Sequence, residues 1–221
     1  MKGKYKLVVF DMDGVLVDHL STWTWVHDKM DVNNDASLEL FKAGKITEIE
    51  FIRRDIKLWT SKYEDVKITH IVNALQDIPL IPGIQETVAT LSHNGIKSVI
   101  VSGGIDIAAK MIADEFLFDG HAANSILHNE DGSLTGEGRV NVDLTDKGIM
   151  TREFMKRFDV TKEETVAIGN SYTDVKMLQA AGLAIAFNPI DKYVTDVADI
   201  VINSRNISDI LDVVLEVEDG V

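Results

Sequence analysis

The stretch Lys6-Leu7-Val8-Val9-Phe10-Asp11-Met12-Asp13-Gly14 constrains this chain more than any other. Its first five residues form a short, continuous run, β-branched and apolar after Lys6, which predicts a strand buried in a parallel sheet. Two carboxylates then follow at i and i+2, so an extended backbone presents both on one side. Like charges that close repel, and the pair becomes tolerable beside a cation or with a shared proton. A hard divalent ion with oxygen ligands supplies that compensation, and Mg²⁺ suits a site that also handles phosphate. Gly14 permits unusual backbone geometry where the strand gives way to a loop. The ordinary alternative is an exposed Asp-x-Asp-Gly turn. A place at the carboxyl end of a core strand argues against it.

From about residue 79 onward, helical and extended patterns alternate. Pro82-Gly83 precedes a helix over 84–93 that Asn94-Gly95 closes. Residues 96–101, 165–169, 183–187 and 200–202 read as strands. Helices follow Ser102-Gly103-Gly104, Lys147 and Gly169-Asn170, and a last one spans about 207–217. This order predicts an α/β fold, an open and mostly parallel sheet wound on both faces. Residues 121–141 flank Asn129-Glu130-Asp131-Gly132 and predict a β-hairpin. Residues 18–78 carry helix-like spacing, all three tryptophans and no convincing strand. The expected organisation is therefore a core of 1–17 and 79–221, with a helical insertion, 18–78, placed to cover the first motif.

Composition removes several function classes. A formal net charge of −14 argues against nucleic acid, which needs a basic face to displace its counterions. The same charge requires any phosphate site to be locally positive or metal-assisted. With no cysteine, disulfides, thiolate catalysis and cysteine-ligated zinc are out. No apolar run reaches the ~18 residues of a membrane span, so the expectation is a soluble cytoplasmic protein. The six histidines show no metal-ligand spacing. Gly136-Glu137-Gly138 lacks the strand-then-helix context of a dinucleotide site.

Four groups fall at or just past the carboxyl ends of predicted strands, where open α/β sheets bind ligands. They are Asp11 with Asp13, Ser102 with Gly103 at an expected helix start, Lys147, and the turn Gly169-Asn170-Ser171-Tyr172-Thr173-Asp174. Taken singly, each has an ordinary reading as a cap or a solvated helix residue. Together they fit a site for phosphate plus metal.

The ordered set DxDG, SGG, Lys and G(N/D)xxxD resembles the haloacid dehalogenase superfamily, mostly Mg²⁺-dependent phosphatases. The resemblance covers nearly the whole chain and is closest to the phosphoserine phosphatase branch, through 101–108, 131–136 and 146–148. It implies a Rossmann-like core with a helical cap inserted after the first strand, and hydrolysis of a small phosphorylated metabolite through an aspartyl-phosphate. On that resemblance Asp11 is the nucleophile and Asp13 the general acid and base. Ser102, Gly103, Lys147 and Thr173 hold phosphate, and Asp11, Asp13, Asn170 and Asp174 surround Mg²⁺. Asn170 stands where these phosphatases usually carry aspartate, and Thr173 where asparagine is common.

Substrate recognition departs further. The branch places a glutamate for the substrate ammonium where this chain has Leu20. Arg53 matches the cap arginine that pairs with the substrate carboxylate, a fitting use of a planar fork. A phosphotransferase sharing the intermediate, and a weakened metabolite-binding module, are the alternatives. The sequence leaves monomer and homodimer open.

Overall fold

The computed structural model describes residues 4–215. The first strand, β1 (Leu7–Phe10), is buried throughout. Four helices follow: α1 (Thr22–Lys29), α2 (Asp35–Lys42), α3 (Glu48–Lys62) and α4 (Ile68–Gln76). Next come α5 (Ile84–His93), β2 (Lys97–Ile105) and α6 (Asp106–Phe116). A hairpin of β3 (Gly120–His128) and β4 (Leu134–Arg139) leads to α7 (Gly148–Phe158) and β5 (Thr165–Gly169). The described residues end with α8 (Val175–Ala180), β6 (Leu183–Phe187), α9 (Lys192–Thr195), β7 (Ile200–Ile202) and α10 (Leu211–Val214). Residues 216 and 217 of the expected last helix lie outside the described residues.

The seven strands form one sheet in the order β4-β3-β2-β1-β5-β6-β7, parallel except for the β3–β4 hairpin. Along β1, side chains alternate between two apolar layers: Val8 and Phe10 join one, Leu7 and Val9 the other. Ile84, Val88 and Leu91 of α5 cover the first layer, and Phe154 of α7 with Met177 and Leu178 of α8 cover the second. Burial on both faces is why β1 reads as an uninterrupted apolar run. Among the described residues, no helix is long and apolar enough to cross a membrane.

Register fixes where the site forms. Phe10 pairs with Ile100 of β2 and with Ile168 of β5. Asp11 therefore leaves the sheet where β5 is ending, beside the Ser102 and Asn170 segments. The strand order reverses between β1 and β5, the crevice where such sheets take ligands.

The helices α1 to α4 enter and leave at one place. Asp18 N–H donates to Pro79 C=O at 2.8 Å, and Ile81 N–H to Leu16 C=O at 2.8 Å. Trp59 is fully buried and stacks on Trp23 at 6.0 Å between ring centroids. These two indoles build the interior of the helical segment.

The extent of β2 corrects one expectation. Ser102 and Gly103 do not open a helix; the strand runs on through Ile105, and α6 starts at Asp106. The pairing with β3 shifts register between Val101 and Ile105, and Ile105 N–H donates to Thr22 Oγ1 at 2.9 Å. Those partners hold the two glycines extended.

Candidate active site

Asp11, Asp13, Ser102, Gly103, Lys147, Asn170 and Thr173 all line one cavity of about 260 Å³. Lys147 is its charged centre. Its Nζ lies 2.8 Å from Asp11 Oδ1 and 2.7 Å from Asp174 Oδ1, and all three side chains are nearly inaccessible. Burial works against the ammonium, but the two carboxylates outweigh it and hold Lys147 above the usual lysine range. Lys147 caps α7 immediately before Gly148, so its position is set by the start of that helix.

The carboxylates feel the opposite balance. Burial, then repulsion from Asp174, pushes Asp11 up to about 7 against the pull of Lys147. Burial likewise raises Asp13 to about 6, although Thr22 opposes it. Thr22 N–H donates to Asp13 Oδ2 at 3.1 Å and its hydroxyl at 3.3 Å. Asp13 thus sits at the first turn of α1, where the backbone favours its charge.

Asp174 is fully committed within the protein. Its Oδ2 accepts from Asn170 N–H at 2.8 Å and Ser171 N–H at 3.0 Å, while Oδ1 faces Lys147. It braces the β5 turn and the lysine, so both oxygens of this expected metal ligand have partners within the protein. The Asn170 side chain packs against Gly14, whose φ is +78°. A Cβ built on Gly14 would lie 1.9 Å from Asn170 Nδ2, so this close approach requires glycine.

A divalent cation fits these residues. Among the described residues no group of three or more His, Cys, Asp or Glu side chains is arranged for a metal. The donors at hand are Asp11, Asp13 and the Asn170 amide. Asp13 Oδ1 is buried with no hydrogen-bond partner. Three carboxylates face one ammonium, which leaves two negative charges for a divalent ion to balance.

Arg53, expected as a carboxylate clamp, is turned away from the cavity in this structure. Its Nε pairs with Glu137 on β4 at 2.7 Å, and Arg53 does not line the cavity. Glu48, Phe51, Ile52 and Asp55 do. That spacing is one face of α3, and Arg53 is turned about 100° from Ile52. Leu20 lines the cavity mouth and is largely exposed.

Several residues of the site carry no motif. Glu48 accepts from Asn124 Nδ2 at 2.9 Å and from Leu144 N–H at 3.1 Å, and so ties α3 to the sheet and to the loop before α7. Trp23 Nε1 donates to Gly103 C=O at 3.1 Å and fixes α1 over the end of β2. The i, i+3, i+4, i+7 pattern of 48, 51, 52 and 55 was the available signal for the inward face of α3.

A model of the haloacid dehalogenase-like hydrolases matches residues 5–182, and the chain belongs to that family. It is 32% identical over 220 residues to a phosphoserine phosphatase of Methanocaldococcus jannaschii, with 96% of this chain and 98% of that protein aligned. A phosphoserine phosphatase of Idiomarina loihiensis is 28% identical over 96% of this chain and 94% of its own length. Among solved structures, a phospho-aspartyl intermediate analogue of phosphoserine phosphatase superposes with a TM-score of 0.78 at 30% identity, covering 96% and 99% of the two chains. A substrate-bound phosphoserine phosphatase gives 0.79 at 29% identity, over 96% and 99%. Within the family, the chain falls in the phosphoserine phosphatase branch, and it is a phosphatase.

Proposed function

We propose that Asp11 attacks the phosphorus of a small phosphorylated metabolite and carries the phosphoryl group as an aspartyl-phosphate. The observation that supports this most is the buried contact of Asp11 with Lys147, 2.8 Å apart at the carboxyl end of β1. In the first step the Asp11 O–P bond forms and the ester P–O bond breaks, while Asp13 gives its proton to the leaving alkoxide. In the second, water attacks phosphorus, Asp13 takes back a proton, and Asp11 is released. A group raised to about 6 can serve in both directions near neutral pH.

Lys147, the Ser102 hydroxyl and the Gly103 N–H hold the phosphoryl oxygens as charge spreads over them, with Thr173 at the opposite wall. Asp11, Asp13 and Asn170 would hold Mg²⁺, which supplies charge neutralisation between an anionic nucleophile and an anionic ester. Asp174 keeps Lys147 and the β5 turn in place. Residues 18–78 act as a cap over the core of 1–17 and 79–221, excluding bulk water from the phosphoryl group.

Purified protein with Mg²⁺ should release phosphate from p-nitrophenyl phosphate, and Asp11→Asn should reduce release to background while retaining the wild-type circular dichroism spectrum. Undiminished turnover by that variant would refute the assignment.

A further inference from the structure

Beyond the phosphate site, the cavity runs under α2 and α3, and its walls describe the alcohol half of the ester. Leu38, Phe51 and Ile52 are apolar; Asn34, Glu48 and Asp55 are not. Lys147 is the one basic side chain among the described residues lining the cavity, and Asp11 and Asp174 already take its charge.

Asp55 lines this space with both of its oxygens engaged. It is 1% exposed, with Oδ1 accepting from Asn34 Nδ2 at 3.1 Å and Oδ2 lying 3.5 Å from His27 Nε2. Buried Trp59 Nε1–H donates to His27 Nδ1 at 2.8 Å. That bond makes Nδ1 an acceptor and leaves the imidazole proton on Nε2, toward Asp55. A second proton on Nδ1 would point at the indole N–H. The ring therefore turns Nδ1 to Trp59 and Nε2 to Asp55.

We propose that the alcohol half of the substrate carries hydrogen-bond donors, hydroxyl or ammonium, and no carboxylate. This rests on the phosphatase reading above and names the substrate class of the same site. A carboxylate in this space would be desolvated against Glu48 and Asp55 with no unspent cation to meet it. Donors would be met by carboxylate and amide oxygens, while Leu38, Phe51 and Ile52 take the carbon skeleton. The volume of about 260 Å³ falls below the usual ligand range of about 300–1,000 Å³, which restricts the ester to a small metabolite.

The test compares kcat/KM with Mg²⁺ for matched pairs: O-phosphoethanolamine against O-phosphoserine, and glycerol 1-phosphate against 3-phosphoglycerate. The first pair reads an ammonium donor, the second hydroxyls. In at least one pair the carboxylate-free ester should lead by about tenfold or more. Asp55→Asn, a substitution of the same shape, should narrow that ratio, and Glu48→Gln should do so independently. Parity or a lead for the carboxylated ester in both pairs, with p-nitrophenyl phosphate still hydrolysed, would overturn this inference alone. A ratio unmoved by both substitutions would also overturn it. Failure on every ester, p-nitrophenyl phosphate included, would overturn the phosphatase reading and this inference with it.

Discussion

Lys147 Nζ and Asp11 Oδ1 are 2.8 Å apart, in side chains that are 2% and 4% exposed. The same ammonium is shared with Asp174, so Asp11 keeps only part of it. A phosphoryl group in the cavity would compete with Asp11 and Asp174 for that charge, and the divalent ion proposed above would supply the rest.

Removing the ammonium should be severe. Lys147→Met leaves Asp11 and Asp174 buried without compensation, which costs on the order of 3–5 kcal/mol for a broken buried pair. The carboxyls can relieve part of that by taking up protons, so the loss should be smaller near pH 5 than near pH 8. Urea unfolding of metal-free protein at both values checks this. Equal losses at the two values would count against the pairing.

Asp11 and Asp13 should make the metal-free protein less stable as pH rises. Both carry folded-state values above their ordinary 3.8, about 7 and about 6. The folded state therefore binds more protons than the unfolded one, and its advantage is full below about pH 4 and lost as pH climbs through about 7. Surface carboxylates such as Asp31 and Glu164 shift the other way and must be subtracted. The informative quantity is the difference in melting temperature between Asp11→Asn and wild type in chelator. It should grow in favour of the variant between about pH 5 and pH 8, and shrink when Mg²⁺ is added.

What could be read from the sequence was what local signals encode. The strand Leu7–Phe10, the helix Ile84–His93 and the motif residues Asp11, Lys147 and Asp174 follow from short apolar runs, caps and fixed spacings. Contacts across long separations were not legible. Glu48 meets Leu144 and Asn124, Thr22 meets Asp13 and Ile105, and Asp55 meets His27 and Asn34. Arg53 shows a second limit: a match of residue type at a motif position carries no helical phase, and the face of α3 turned to the cavity is the one holding Asp55. Arg53→Ala should therefore leave kcat/KM within about twofold of wild type, as expected for a half-exposed ion pair. A tenfold or larger loss in steady-state assays would return Arg53 to the substrate.

Asn170 sets the charge around the proposed metal position. Asn170→Asp adds a carboxylate to a site where three already face one ammonium, and should tighten Mg²⁺ by roughly 10–100-fold in calorimetric titration. The same change should lower the melting temperature in chelator. Gly14 guards this contact: Gly14→Ala forces a Cβ to within 1.9 Å of Asn170 Nδ2 at a φ of +78°. It should weaken Mg²⁺ binding even in protein that remains folded. Unchanged affinity in both variants would remove Asn170 from the metal environment.

Thr22 should govern the pH dependence of turnover without touching substrate. Its Oγ1 accepts from Ile105 N–H at 2.9 Å and donates to Asp13 Oδ2 at 3.3 Å, so one hydroxyl links the end of β2 to the proposed proton donor. Thr22→Val keeps the shape and removes both bonds. A buried Ile105 N–H left unsatisfied costs about 1–3 kcal/mol, which a thermal melt would register. Asp13 retains the Thr22 backbone donor at 3.1 Å but loses a hydroxyl that favours its charge, so its pKa rises further. Asp13 must be protonated to serve the leaving group, so the falling alkaline limb of kcat/KM should move to higher pH. A purely structural role would lower the plateau and leave the limb in place. A limb that stays fixed, or moves to lower pH, would detach Asp13 from proton transfer in this step.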